Sequence, residues 1–183
     1  MGISINKVGG GSTPVVAPYK VFTGLVTQSG GDDPQTITSG DLTIGVTYMM
    51  DGITLTTDFT NVGAPYNANG VYFVATGTTP NNWGVADLNY NTGSPTVTVL
   101  ENTIGNVWFQ YYDVGVYGIN SNDLFSLNKT FILSGNLGDD NSSIYRIYIN
   151  PNGLNSININ TYFEGNISDY VLFNTPIEIR VYN

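Results

Sequence analysis

Along most of this chain apolar and polar residues alternate over short runs, and clusters of Gly, Asn, Asp or Pro close each run. Alternation with a period of two sets successive side chains on opposite faces of an extended strand. The run Tyr19-Lys-Val-Phe-Thr-Gly-Leu-Val-Thr27 mixes aromatic and β-branched residues and stops at Ser29-Gly-Gly-Asp-Asp-Pro34. The same pattern predicts strands over 42–50, 70–75, 96–101, 106–112, 114–119, 129–134, 144–150, 156–161, 170–174 and 177–182. Pro151-Asn-Gly153 between two alternating runs is a hairpin signal. Ile177, Ile179 and Val181 share one strand face, whereas the run Ile144-Tyr-Arg-Ile-Tyr-Ile149 is apolar enough to predict cover on both faces. A helical period is absent, and Asp58–Gly63 is expected to make one helical turn at most. Short strands at close spacing indicate an all-β protein: an antiparallel, jelly-roll-like β-sandwich.

The run-and-turn pattern also divides the chain. Residues 1–18 form an expected N-terminal arm in which Ile3 and Ile5 alternate with polar neighbours before the joint Gly9-Gly-Gly-Ser-Thr-Pro14. Ile3, Ile5 and Val8 are its candidate docking residues. Residues 38–92 begin at Thr38-Ser-Gly40 and end at Asn91-Thr-Gly93, as an inserted small β subdomain would. Residues 19–37 and 93–183 are then expected to pair as a discontinuous main sandwich.

Composition narrows the chemistry. The sequence has no His and no Cys, which removes imidazole acid–base catalysis, thiol nucleophiles, Cys/His zinc sites and disulfides. Five basic against 14 acidic residues give a net charge of −9, so nucleic acid and anionic membranes are not expected partners. Charged residues are only 10% of the chain, so solubility rests on Asn, Ser and Thr or on hiding surface in an assembly. The first residues lack the cationic start and apolar run of a secretory signal, and no stretch nears the length of an apolar membrane span.

Few motifs carry chemistry. Asp87-Leu-Asn89-Tyr-Asn91-Thr-Gly93 has oxygen donors at alternate positions like the front of a calcium loop, but its Gly is one place late and no bidentate acid follows. An Asn/Gly turn is the simpler reading, and Asp139-Asp140 reads as a surface turn in the same way. Glu101, Glu164 and Glu178 are the only glutamates available for paired-carboxylate glycoside hydrolysis. The remaining candidates are aromatic: Trp83, Trp108 and Tyr112, with Phe109, Tyr111 and Tyr117, make either a glycan-stacking surface or core and interface. Catalytic residues, cofactor and metal are not called for.

Two segments, Lys20-Val-Phe-Thr-Gly-Leu-Val-Thr-Gln-Ser-Gly30 and Pro95-Thr-Val-Thr-Val-Leu-Glu-Asn-Thr-Ile-Gly105, resemble two halves of one recurring module in virion proteins of tailed bacteriophages, especially phages of Bacteroidota, including crAss-like phages. Asp58-Phe-Thr-Asn-Val-Gly63 and Val71-Tyr-Phe-Val-Ala-Thr-Gly-Thr-Thr-Pro80, followed by Trp83, are similar to a second module inserted in such proteins. The resemblance covers roughly residues 19–118 and implies virion localisation. It brings no catalytic residues.

The expectation is therefore a non-enzymatic virion structural protein: a head fibre, capsid decoration or tail-fibre component. Its partners would be other virion proteins and copies of itself, as a homotrimer, with the faces of 144–149 and 177–181 as core or subunit contacts. The alternative is a carbohydrate-binding module for host surface glycans, using Trp83, Trp108 and Tyr112.

Overall fold

The computed structural model describes residues 18–135 and 145–183, and Ile3, Ile5, Val8, Asp139, Asp140 and Ile144 lie outside them. The described residues build three antiparallel sheets, and their helical content is a single 3-10 turn, Thr60–Val62. The strands are β1 (Tyr19–Thr27), β2 (Pro34–Ile37), β3 (Thr47–Asp51), β4 (Tyr72–Val74), β5 (Asp87–Asn91), β6 (Thr96–Asn102), β7 (Val107–Asp113), β8 (Val116–Ser121), β9 (Thr130–Ser134), β10 (Tyr145–Asn152), β11 (Ser156–Phe163), β12 (Asn166–Ile167) and β13 (Thr175–Tyr182).

Two sheets make the sandwich. The first has the order β6-β1-β13-β9 and the second β10-β11-β8-β7, with β12 on β11. Alternation decides their inner faces. Phe22 and Val26 of β1 and Ile177 and Ile179 of β13 are buried, and they meet Phe109, Tyr117, Ile119, Ile157 and Ile159 from the second sheet. The Phe22 and Phe109 rings approach to 5.9 Å between the sheets. Each fully buried side chain of this kind stabilises by about 1.5–3 kcal/mol relative to exposure. Ile177 and Ile179 are thus core, not subunit contacts.

The third sheet, β2-β5-β3-β4, has its own apolar cluster around Tyr48, Met50, Phe59, Phe73 and Leu88. Residues 34–37, assigned by the sequence pattern to the sandwich segment 19–37, pair instead with β5 in this third sheet. The chain enters and leaves it through a clasp: the Thr92 amide donates to the Asp33 carbonyl (3.1 Å), and the Asn91 carboxamide donates to Asp32 (2.7 Å). Asp58 holds its turns. Its carboxylate accepts from the Thr60 hydroxyl (2.6 Å), the Asn81 carboxamide (2.9 Å) and the Thr60 amide (3.0 Å), which lowers its pKa to about 2. These bonds draw Asn81 onto the turn at 58–60.

Three local expectations are corrected. Residues 170–174 form a loop, not a strand. Tyr170 and Asn174 have φ of 63° and 44°, and side chains take up the backbone groups a ladder would use: the Gln28 carboxamide accepts from the Tyr170 amide, and the Thr27 hydroxyl accepts from the Asn174 amide. The hairpin turn falls at 153–155, because Asn152 still pairs with Ser156 and Gly153 supplies the positive φ of 84°. Lastly, β10 is covered on one face only: Ile147 and Ile149 pack on the core, whereas Arg146 and Tyr148 are exposed.

Candidate functional site

The third sheet packs against the free edge of β7. The Phe109 amide donates to the Thr47 hydroxyl (3.1 Å) and the Tyr111 amide to the Ser94 hydroxyl (3.1 Å), so side chains occupy donors that would otherwise template another strand. Between the two bodies lies a cleft of about 350 Å³ with Tyr72, Tyr90, Tyr111, Gln110 and Asn89 in its wall. Clefts of this size between packed units are common ligand sites.

Of the aromatic candidates Trp83, Trp108 and Tyr112, the structure links the last two and leaves Trp83 apart from them. Trp83 lies partly buried in the third sheet, edge-on to Phe59 at 5.2 Å, with its indole N–H donating to the Gly40 carbonyl (3.1 Å). Trp108 is only 9% exposed, because Tyr72 stacks on it at 5.5 Å with the planes 9° apart. That stack covers the face a sugar ring would need. Tyr112 alone is open, at 48% exposure. It is the extra residue of a bulge between β7 and β8, and its ring lies over Gly118, where an added Cβ would fall 2.3 Å from the Tyr112 hydroxyl oxygen. The hydroxyl donates to the Asn120 carboxamide (2.9 Å), Asn120 donates to Gln110 (2.8 Å), and the Trp108 indole donates to the same Gln110 oxygen (3.3 Å). Trp108 and Tyr112 therefore belong to one fixed chain of side chains running to the cleft.

A second polar chain is internal. Asp169 accepts from the Tyr117 hydroxyl (2.7 Å), the Gly115 amide (2.7 Å) and the Tyr111 hydroxyl (3.1 Å). Burial, then the bond to Asp169 and its negative charge, push the Tyr111 phenol up to about 12 and Tyr117 further in the same direction. Both phenols are hydrogen-bond donors held neutral, which suits an anchor for the β8–β12 end of the sandwich. Asp87, Asn89 and Asn91 occupy alternate positions of β5, an extended strand that does not curl around an ion. The Asn89 carboxamide oxygen accepts from Thr36 (2.6 Å) and that of Asn91 from the Gly93 amide (2.8 Å).

The β10–β11 part of the second sheet's outer face was read from sequence only as a core or subunit contact. Arg146, Tyr148 and Asn150 of β10 stand beside Tyr162, Asn160 and Asn158 of β11, residue opposite residue. All of these except Asn158 line a shallow basin of about 410 Å³, together with Gly165. The Tyr148 and Tyr162 rings meet at 5.5 Å with their planes at 90°. The usable signal was Arg-x-Tyr-x-Asn before the hairpin and Asn-x-Asn-x-Tyr after it, since a common face follows once the two runs pair.

Comparison of the chain with protein-family models, with curated proteins and with solved structures finds no match.

Proposed function

We propose that this chain is a non-enzymatic structural protein carried on the outside of a tailed-phage particle, acting by assembly with copies of itself and with other virion proteins. The observation that carries the reading is the outer face of the first sheet. On the edge strand β9, Phe131 and Leu133 point outward at 49% and 45% exposure, directly opposite Arg180 and Glu178 of β13. Half-exposed apolar side chains on an edge strand are best covered by another subunit. The low charge content supports the same reading, because surface without charges is tolerated when an assembly hides it.

The contact strand proposed for the homotrimer is β9. Light scattering on the size-exclusion peak is expected to give three times the chain mass of 19.7 kDa, and the double variant Phe131→Glu, Leu133→Lys is expected to give a folded monomer. A wild-type monomer would remove the trimer. The virion assignment is tested separately: antibody against the chain should label intact purified particles, and its detection only in infected-cell lysate would overturn the assignment.

A second reading, a glycan-binding module, is favoured by one observation: the outer face of the second sheet carries tyrosines and asparagines where the first carries Phe131 and Leu133.

A further inference from the structure

We infer that the basin on β10 and β11 is a binding site for a neutral hexopyranose unit of a glycan, with Tyr148 and Tyr162 as the stacking walls and Asn150 and Asn160 as the amide groups. The inference rests on the second reading above and gives it a place and a ligand class.

The argument starts from the strand period. Alternate residues of a strand face one side, and the register of β10 and β11 sets Tyr148 opposite Asn160, Arg146 opposite Tyr162 and Asn150 opposite Asn158 on the outward face. Tyr148 and Tyr162 are therefore diagonal neighbours, within reach of each other's rings. Their right-angled planes form a corner. One ring offers a flat apolar face to the C–H face of a pyranose, and the other meets its edge. Tyr148 is 49% exposed and so is available to a ligand. Sugar hydroxyls need donors and acceptors at the rim of an apolar patch, and a carboxamide supplies both. Two of them, Asn150 and Asn160, line the basin.

The backing is rigid. The opposite face of the same two strands carries Ile147, Ile149, Ile157 and Ile159 against the core. The rim turn Glu164-Gly165, with φ of 49° and 84°, is a two-residue hairpin of the type that needs both values positive. The volume, about 410 Å³, falls at the lower end of small-ligand sites. The neutral class is argued from charge: Arg146 is the one charged residue lining the basin, and the chain as a whole carries −9, which repels acidic polysaccharide at a distance.

The test uses the full chain. Soluble oligosaccharides of glucose, mannose, galactose and N-acetylglucosamine, with polygalacturonate as the acidic counterpart, are titrated by calorimetry. The wild type is expected to bind at least one neutral oligosaccharide. Tyr148→Ser and Asn160→Ala, with unchanged melting temperature, are each expected to weaken it about tenfold or more, as loss of a principal contact does. Tyr112→Ser is expected to leave it unchanged. Neutral-glycan binding that survives Tyr148→Ser and Asn160→Ala but falls with Tyr112→Ser or Gln110→Ala would overturn this site and leave the glycan reading standing. Binding of polygalacturonate alone would overturn the neutral class. No binding to any of the probes would overturn both the site and the glycan reading.

Discussion

The two sheets of the sandwich share an inner surface and differ on their outer ones. Facing inward, each offers Ile, Val and aromatic residues at alternate positions, and the two sets interlock with no distinction between sheets. Facing outward, β9 shows Phe131 and Leu133, whereas β10 and β11 show Arg146, Tyr148, Asn158 and Asn160. The inner pattern is set by the requirement to fold and would be met by many sequences. The outer pattern is free of that requirement, and its divergence is where the two proposed roles are placed: another protein surface on one face, a polar ligand with an apolar side on the other.

That comparison can be broken in several ways. If the inner faces are equivalent, Ile159→Ala in the second sheet and Ile179→Ala in the first should each cost about 2–5 kcal/mol in denaturant titration. A large inequality between them would show that the two inner faces are not equivalently packed. A smaller loss, about 1–3 kcal/mol, is expected for Asp169→Ala, which leaves the buried Tyr117 hydroxyl without its acceptor.

The same phenols predict an alkaline limb. Their folded pKa values are raised above the unfolded value of about 10, so their contribution is complete below pH ~10 and is lost as pH rises towards about 12. Tyr117→Phe should reduce that loss, with stability followed against pH. On the outer faces, Phe131→Ser and Tyr148→Ser are each expected to change monomer stability by under about 0.5 kcal/mol. Only the first should change the assembled mass. Smallest of all is Asp58, whose lowered pKa predicts a contribution present above about pH 4 and lost as pH falls through about 2. Asp58→Asn should flatten that acid limb in a melting series.

The legible regions of the fold were those governed by a period of two with large apolar residues. β1 and β13 could be drawn from Phe22, Val26, Ile177 and Ile179 alone. β5 was hidden because its outward residues, Asp87, Asn89 and Asn91, imitate a metal loop, although Leu88 and Tyr90 between them keep strand alternation. β2 is four residues of mostly polar side chain on a sheet edge, with too little burial to mark it. Tyr170–Asn174 looked like a strand because Val171 and Leu172 are apolar and do bury, but the partners of that backbone are Gln28 and Thr27, far away in sequence. Trp108 failed as a free platform for a similar reason: Tyr72, which covers it, arrives from another sheet. Side-chain type was readable, whereas what stands over a side chain was not.

The pairing of β1 with β13 has a mechanical side. Tyr19 is opposite Tyr182, and the Asn183 amide donates to the Pro18 carbonyl (3.1 Å), so residues 18 and 183 emerge next to one another. Tension applied between those two points would load the ladder from its open end. Its cross-strand bonds, perpendicular to the strands in an antiparallel pair, would break in succession as a zipper opens, at low force. A single attachment holding residues 18 and 183 at one spot would produce no such tension. Pulled apart at that corner, the fold is weak as a link in a chain under load.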